Sequence, residues 1–438
     1  MTTTYDPHHP QYLDEADTRL ELARAFAVCT DCRRCVQMCP SFPTLFSYAE
    51  RCADRDLGLM SPAQQDHVVD LCFNCKMCVV ECPFAPGADP AAIDLPRLML
   101  RAKAMRFETG QLRWRTRAMT TLLGHTDAMS EVASRVVQVV NRVIGAAPRS
   151  VVRRMLQLVT GIVHVRQIPT FTRSRFSMWF KQRPKVRVGR KQGSVAVYPT
   201  CIVEYHEPAI GKALVKVYEH NGIECSLSTA RCCGATSLHN GDLAQFTKIA
   251  VDNVAILAGE IRDGNEIVVA QPMCSFVLKN DYLTYVGGPD AALVSQHVFD
   301  AAEYLMKVHN TEGSSLDIEF RGEVPDTVAY CAPTHLLAQN IGLPSRDLLK
   351  LAGARVTLVQ QPSGVDGIWG WRGEYARTSL GLADKLGAAV RDAGCEAVAS
   401  DCQVSNIVLK EATEVRAVHP LQVIAVAYDI EASERTDE

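Results

Sequence analysis

The chain has 438 residues, of which 47% are hydrophobic and 22% charged, and its formal net charge is −3. This length suggests about three domains, and this composition excludes a largely disordered protein. No run approaches about 18 uninterrupted apolar residues, so no membrane-spanning helix is expected. Residues 1–10 are polar and have no apolar signal-peptide core, so we expect a cytoplasmic protein. In that reducing compartment, the 17 cysteines indicate metal or cluster binding rather than disulfides.

Two copies of one cysteine pattern, C-x2-C-x2-C-x3-C-P, lie near the N-terminus. They contain Cys29, Cys32, Cys35 and Cys39, and then Cys72, Cys75, Cys78 and Cys82. In bacterial two-cluster ferredoxins this run binds [4Fe–4S] clusters, and its fourth cysteine ligates the other cluster. We therefore expect two clusters, one held by Cys29, Cys32, Cys35 and Cys82 and one held by Cys72, Cys75, Cys78 and Cys39. Zinc sites are the alternative, but they seldom use three cysteines in such a run.

The stretch between the two motifs is longer than in a minimal ferredoxin. Residues 49–51 and 64–69 have helical patterns, and Ser61 followed by proline marks the start of the second helix. We therefore predict an α-helical ferredoxin domain over residues 1–100. It resembles the domain found in iron–sulfur subunits of respiratory dehydrogenases.

A strongly basic segment follows, and we predict a basic, amphipathic helical linker over residues 101–192. Residues 97–191 contain 21 Lys and Arg against three acids, a local balance of +18. Apolar residues recur at helical spacing over 132–144 and 151–163, bordered by arginines. Such helices are typical of segments that lie on an anionic bilayer. The alternatives are packing on the protein's own domains or on an acidic partner, and a solvated linker. Nucleic-acid binding is disfavoured because no reader motif accompanies the charge.

From residue 193 onward, short apolar strands alternate with helical stretches, which is typical of α/β folds. The predicted strands are 195–198, 223–227 and 267–270, and their weaker echoes are 328–330, 356–359 and 397–399. Each of the first three leads into a cysteine group, and α/β folds place their ligand-binding loops after the strands. The echo is an internal duplication, which predicts two α/β half-domains over residues 193–325 and 326–438. The fold class is thus α+β and multidomain.

The cysteines after residue 193 carry a resemblance to a known family. Cys201, the pair Cys232 and Cys233 before Gly234, and Cys274 resemble the CCG module of heterodisulfide reductase subunits. Two ferredoxin motifs, a basic linker and two CCG repeats are similar to the iron–sulfur subunits of anaerobic glycerol-3-phosphate dehydrogenase and of glycolate oxidase. The resemblance covers almost the whole chain. It implies a subunit that relays electrons from a flavoprotein dehydrogenase of a small hydroxy compound to a quinone or another acceptor.

The expected partners follow from this role. There is no GxGxxG after a predicted strand, so the chain is not expected to bind its own flavin or nicotinamide. Substrate chemistry is therefore expected on a flavoprotein partner, with the chain peripheral at the inner face of the cell membrane. The competing hypotheses are a heterodisulfide or thiol reductase-like subunit, and an electron donor to a non-flavin redox partner.

Four cysteines remain in the first CCG repeat, enough for a third iron–sulfur cluster at Cys201, Cys232, Cys233 and Cys274. In the family the third segment is C-x2-C, so Gln271 stands at its first position and Cys274 at its second. Adjacent cysteines are unusual in a cubane site, because neighbouring side chains diverge. The alternatives here are a redox-active or zinc-binding thiol group and a metal-free packing role.

The second repeat departs further from the family pattern. Hydroxyl residues and proline replace the expected cysteines at Thr334, Pro362, Ser363 and Ser405, and Cys402 alone is in register. One thiolate does not hold a cluster, so no cluster is expected there. Cys52, Cys225 and Cys395 fit no spacing, and we expect them to pack as small hydrophobic residues.

Overall fold

The computed structural model describes residues 5–36, 39–53, 56–85, 92–112, 116–117, 120–121, 126–184, 191–313, 316–365 and 367–430. Helices dominate, and two small parallel sheets lie within these residues. The predicted mixture of helix and sheet is therefore confirmed. No helix in these ranges is both long and apolar enough to span a bilayer.

The N-terminal part is helical. Its helices are α1 Glu15–Cys32, α2 Ser41–Ala49, α3 Pro62–Asp70, α4 Met77–Val80 and α5 Leu95–Glu108. Ser61 caps α3 with its side chain, and the Ser61 N–H donates to the side-chain oxygen of Gln64, which confirms the predicted helix start. The helix predicted at 49–51 is misplaced, because the apolar face of Phe42 and Phe46 builds α2 upstream and that helix ends at Ala49.

Helix α5 joins the N-terminal part to the rest of the chain. Leu98 packs in the N-terminal core, whereas Leu100 packs in the core around the first sheet. Arg101 is fully buried, and its guanidinium donates to the carbonyl oxygens of Tyr12 and Gln11, both at 2.7 Å. The boundary predicted after residue 100 therefore falls inside a helix that two cores share.

The basic segment contains four described helices, α6 Thr126–Arg135, α7 Val137–Ile144, α8 Val151–Thr160 and α9 Phe176–Gln182. The helical pattern predicted over 132–144 is interrupted at Val136, whose φ of −115° and ψ of 33° are not helical. The helix predicted over 151–163 ends early, at Thr160, because Gly161 adopts the left-handed conformation at φ 74°. Val163 lies beyond the helix, where it is buried and donates its N–H to the Trp371 carbonyl oxygen at 2.7 Å.

The first sheet has the strand order β2-β1-β3-β4, all parallel. Its strands are β1 Gly193–Tyr198, β2 Ile223–Leu227, β3 Glu266–Val269 and β4 Val298–Asp300. Its helices are α10 Cys201–Tyr205, α11 Pro208–His220, α12 Ala235–Asn240, α13 Leu243–Arg262, α14 Pro272–Phe276, α15 Tyr282–Tyr285, α16 Gly288–His297 and α17 Ala301–Asn310. The three predicted strands are present, and the three-residue β4 was not predicted.

The second sheet repeats this topology with the parallel order β6-β5-β7. Its strands are β5 Thr327–Cys331, β6 Arg355–Val359 and β7 Ala397–Ala399. Its helices are α18 Thr334–Leu337, α19 Pro344–Leu351, α20 Ala376–Ala393, α21 Gln403–Thr413 and α22 Pro420–Ala427. Helix α22 crosses back to the first half, where Leu421 and Ile424 pack with residues of α11. The second half therefore completes the core of the first.

Candidate iron–sulfur centres

The first cysteine motif lies at the end of α1. Cys29 and Cys32 stand on its last turn, and Arg33 then adopts the left-handed conformation at φ 56° and donates its N–H to the Cys29 carbonyl oxygen at 3.0 Å. This capping turn reverses the chain, so that Cys35 lines the same cavity as Cys29 and Cys32. Cys82 of the second motif also lines that cavity. The four cysteines expected to share one cluster are therefore neighbours.

The second cysteine motif lines a separate cavity. Asn74 and Lys76 adopt left-handed conformations at φ 56° and 65°, which is unusual for residues other than glycine. The cysteines that line this cavity together are Cys72, Cys75, Cys78 and, from the first motif, Cys35 and Cys39. These two left-handed residues turn the chain so that the cysteines of the second motif face one cavity.

Three of the thiols in these cavities, those of Cys29, Cys35 and Cys39, are hard to ionise without a cation. Burial, and then the neighbouring Cys82 thiolate, raise the pKa of Cys29 to about 12, and the same two causes raise that of Cys35 to about 11. Burial chiefly raises the pKa of Cys39 to about 12. Because iron ligation requires thiolates, a cationic iron–sulfur core would supply the charge that these sites lack. Four thiols around a cavity fit a [4Fe–4S] cluster, and Cys35 and Cys78 line both cavities.

The first CCG repeat brings its four cysteines together at the carboxyl ends of its strands. Cys201 follows β1, Cys232 and Cys233 follow β2, and Cys274 lies in α14 after β3. The Cys233 and Cys274 sulfurs are 3.4 Å apart. Hydrogen bonds from Cys201 and then Cys233 hold the pKa of Cys232 well below its ordinary value. The adjacent pair therefore does not diverge, since the Cys232 and Cys233 side chains hydrogen-bond to each other.

Two residues that the sequence did not single out support this group. Asn253 on α13 donates to the carbonyl oxygen of Cys232 at 3.1 Å and to the hydroxyl of Tyr282 at 2.9 Å. Tyr282 in turn donates to the carbonyl oxygen of Cys233 at 3.1 Å. The available signal was a polar residue on the apolar face of α13, where Asn253 is only 1% exposed.

The predicted cysteine-poor site of the second half is a cavity lined by hydroxyl groups. Thr334, Ser363, Ser405 and Cys402 line it together with Gln271. The hydroxyl of Ser405 donates to that of Ser363 at 3.0 Å. Hydroxyl groups that bond to one another stand here where the family pattern has thiolates, and the absence of a cluster stays a prediction.

The remaining cysteines pack in cores. Cys225 is buried in the first sheet's core, and Cys331 in that of the second, where burial raises its pKa to about 12. Cys52 and Cys395 are half-buried against the N-terminal and second-sheet cores. Among the described residues, no three His, Cys, Asp or Glu side chains are arranged to hold a single metal ion.

Comparison with known proteins agrees with this arrangement. Residues 28–85 match the family model of a 4Fe-4S dicluster domain, and residues 195–279 match that of the CCG cysteine-rich domain. The chain is 26% identical over 395 residues to an anaerobic glycerol-3-phosphate dehydrogenase subunit of Escherichia coli, covering 81% of this chain and 98% of that protein. It is 25% identical over 255 residues to a fumarate reductase (CoM/CoB) subunit of Methanothermobacter marburgensis, covering 55% of this chain and 48% of that protein. The resemblance seen in the sequence is confirmed.

Proposed function

We infer that this chain is the iron–sulfur electron-transfer subunit of an oxidoreductase, and that it relays electrons from a flavoprotein dehydrogenase to a quinone or another acceptor. One observation carries this proposal. Each of the two cavities is lined by five of the eight motif cysteines, three from one motif and two from the other. When bound there, two [4Fe–4S] clusters supply two one-electron carriers side by side.

The chain's own residues hold and tune these centres. The eight cysteines supply the thiolates, and apolar side chains such as Phe42 and Leu95 line both cavities and limit the access of water. Lys103 donates from Nζ to the carbonyl oxygen of Cys72 at 2.6 Å. Its positive charge beside this loop favours the reduced state of the adjacent centre.

We propose that the electrons come from a small hydroxy compound of the glycerol-3-phosphate or glycolate type, oxidised on a flavoprotein partner. The name of the Escherichia coli relative supports the first of these substrates. The absence of GxGxxG after a predicted strand supports placing the flavin on a partner. Co-purification of a protein with visible flavin absorbance would support the proposal, and co-purification of an electron-donating protein that lacks flavin would contradict it.

We also propose a third iron–sulfur centre at Cys201, Cys232, Cys233 and Cys274. Four thiols in one group, one of them with a lowered pKa, are a suitable donor set. Anaerobic purification followed by iron and sulfide counting tests this. About twelve irons per chain would support the third centre, and about eight would exclude it.

The membrane is the proposed location, through α6 to α8. Large apolar side chains on these helices face solvent, and Val139, Leu158 and Val159 are 66%, 75% and 80% exposed. Arg135 and Arg154 are also exposed on these helices. Exposed apolar side chains flanked by cations suit the surface of an anionic bilayer. We propose that the helices lie in that surface at the inner face of the cell membrane.

A thiol or disulfide reductase is the second candidate function. The lowered pKa of Cys232 favours it, because a thiolate is the nucleophile in thiol–disulfide exchange. A change in the cluster's EPR signal on adding a disulfide substrate would support this function, and an unchanged signal would leave electron relay as the role of the site.

A further inference from the structure

A cavity of about 380 Å³ lies where several parts of the chain meet. Its walls include Phe73 and Asn74 of the second cysteine motif, Lys103 of α5, His239 of α12 and Trp369 of the second half. Cavities of this size hold small organic ligands. Phe73 and Asn74 also line the cavity of the second motif's cysteines. A ligand bound here would therefore lie beside the loop that holds the second cluster.

Two buried polar side chains at this cavity have unsatisfied atoms. His239 is 8% exposed, and neither ring nitrogen hydrogen-bonds to any part of the chain that the structure describes. Asn74 is 2% exposed, and its Oδ1 likewise finds no partner among the described residues. Buried polar groups are normally paired, and leaving them unpaired is costly. Both side chains line the cavity, where a ligand with hydrogen-bonding groups would satisfy them.

The charged side chains at the cavity are already engaged. Arg106 pairs with Asp70 at 2.7 Å, and Arg372 pairs with Glu374. Lys103 donates to a backbone carbonyl oxygen of the second motif. Since the unsatisfied imidazole and amide groups are uncharged, the site favours a neutral ligand with hydrogen-bonding oxygens over an anion.

Aromatic rings form one wall of the cavity. Trp369 stacks on Tyr375 with ring centroids 4.9 Å apart and 6° between the planes. The ring of Phe73 lies 5.2 Å from that of Trp369. Flat aromatic walls favour a flat conjugated ligand.

The same wall is joined to the end of α8. The N–H of Gly373 donates to the carbonyl oxygen of Gly161 at 2.8 Å, and Gly161 follows the last residue of α8. Ile162 forms an antiparallel bridge with Arg372, which lines the cavity. The cavity thus lies next to the exposed apolar helix, and a lipid-soluble ligand would arrive from that side.

We propose that this cavity binds a quinone-class acceptor, with His239 hydrogen-bonded to one of its carbonyl oxygens. This inference rests on the proposed function, because the electrons come from the chain's clusters. Two electrons, one from each reduced cluster, and two protons convert the two carbonyl groups into hydroxyl groups. One ring nitrogen of His239 gives its proton to one ligand oxygen while the other ring nitrogen takes a proton from water that enters the cavity, and water supplies the second proton to the other ligand oxygen.

Binding is tested with menadione on anaerobically isolated protein whose clusters are oxidised. Isothermal titration calorimetry should find about one menadione per chain. His239→Leu removes a hydrogen bond and should weaken binding about tenfold. Thr236→Phe, which fills the cavity from α12 and keeps the imidazole, should weaken it as well. His297→Gln replaces a histidine that does not line the cavity, and this control should bind as the unchanged protein does.

Electron transfer gives a second readout. After reduction with dithionite, His239→Leu should be reoxidised by menadione about tenfold more slowly, but by ferricyanide, which needs no binding site, at an unchanged rate. Equal menadione binding in His239→Leu, Thr236→Phe and the unchanged protein would overturn the proposal. The proposal would also be overturned if the unchanged protein bound succinate or phosphate and both variants lost that binding, because the cavity would then be an anion site. Failure of the proposed electron-transfer function would give a different result from failure of the quinone site. The isolated chain would then contain no clusters, or ferricyanide would not reoxidise it.

Discussion

Gln271 donates a hydrogen bond from its side-chain nitrogen to the sulfur of Cys402, 3.1 Å away. Its side-chain oxygen accepts a hydrogen bond from the N–H of Gln403 at 3.3 Å. Gln271 occupies the position of the missing cysteine in the first repeat, and Cys402 is the in-register cysteine of the second. The side-chain amide of Gln271 thus links the third loops of the two halves. It also hydrogen-bonds to the Cys402 thiol, which the family pattern would make an iron ligand.

Replacement of Cys402 should therefore leave the iron content unchanged. In Cys402→Ser the hydroxyl can still accept the hydrogen bond from Gln271, so we expect a loss of stability of about 1 kcal/mol or less. Iron and sulfide counting is the measurement. Cys274→Ser is the matched comparison, and it should lose about four irons if the third centre is a [4Fe–4S] cluster. Loss of iron from Cys402→Ser would show that Cys402 is a ligand.

Paired serine substitutions should reveal that each cluster takes a cysteine from the other motif. Cys82→Ser combined with Cys29→Ser damages one cluster twice and should cost about four irons per chain. Cys82→Ser combined with Cys72→Ser damages both clusters and should cost about eight. The opposite ranking would mean that each motif holds its own cluster.

Lys103 should raise the reduction potential of the second cluster. Lys103→Met removes a positive charge near the Cys72 carbonyl and should lower that potential by tens of millivolts, where about 59 mV corresponds to a tenfold change for one electron. An EPR-monitored redox titration measures it. Lys103→Arg, which keeps the charge, is the control and should stay closer to the original value. An equal shift in both variants would assign the effect to packing.

The pH dependence of stability should include a contribution from Asp300. Burial raises the pKa of this carboxyl to about 7, although Lys279 opposes the shift, and Ser275 donates to it at 2.7 Å. The unfolded value is about 3.9, so between about pH 4 and pH 7 the folded state holds the extra proton. Stability contributed by this group is therefore present below about pH 4 and declines as the pH rises, by up to about 1.4 kcal/mol per pH unit.

Asp300→Asn tests this contribution, because asparagine caps helices as well as aspartate does and has no proton to lose. The thermal midpoint of the variant should fall less than that of the unchanged protein between about pH 5 and pH 7. Parallel pH profiles would show that Asp300 does not titrate in this range. Equal iron content in both proteins is the necessary control.

The apolar face of α8 should determine membrane binding. The double variant Leu158→Asp, Val159→Asp should bind vesicles containing phosphatidylglycerol at least about a hundredfold more weakly, since each large apolar side chain contributes about 1.5 kcal/mol or more on burial. Vesicle co-flotation measures this. Val251→Asp, Val415→Asp is the matched control, because these valines are 48% and 44% exposed elsewhere. Equal loss in both double variants would argue against docking through α8.

Local patterns accounted for much of the fold. Runs of apolar residues located six of the strands, and Ser61 with Gln64 located the start of α3, because strand burial and helix capping depend on residues close together in sequence. The pattern of 151–163 was misleading at its end. Gly161 stops the helix there, and Val163 is buried by pairing with Trp371, a residue distant in sequence.

The sequence by itself determined the two cysteine motifs and their expected exchange of fourth ligands, because three ligands per motif lie within one short turn. The tertiary structure alone decided that Gln271 meets Cys402 and that the apolar face of α8 points to solvent. It also placed His239 at a cavity beside the second motif, without a hydrogen-bond partner among the residues that the structure describes. These features depend on which surfaces meet after the chain has folded. A residue's burial and its available partners are set by contacts distant in sequence, and local periodicity does not record them.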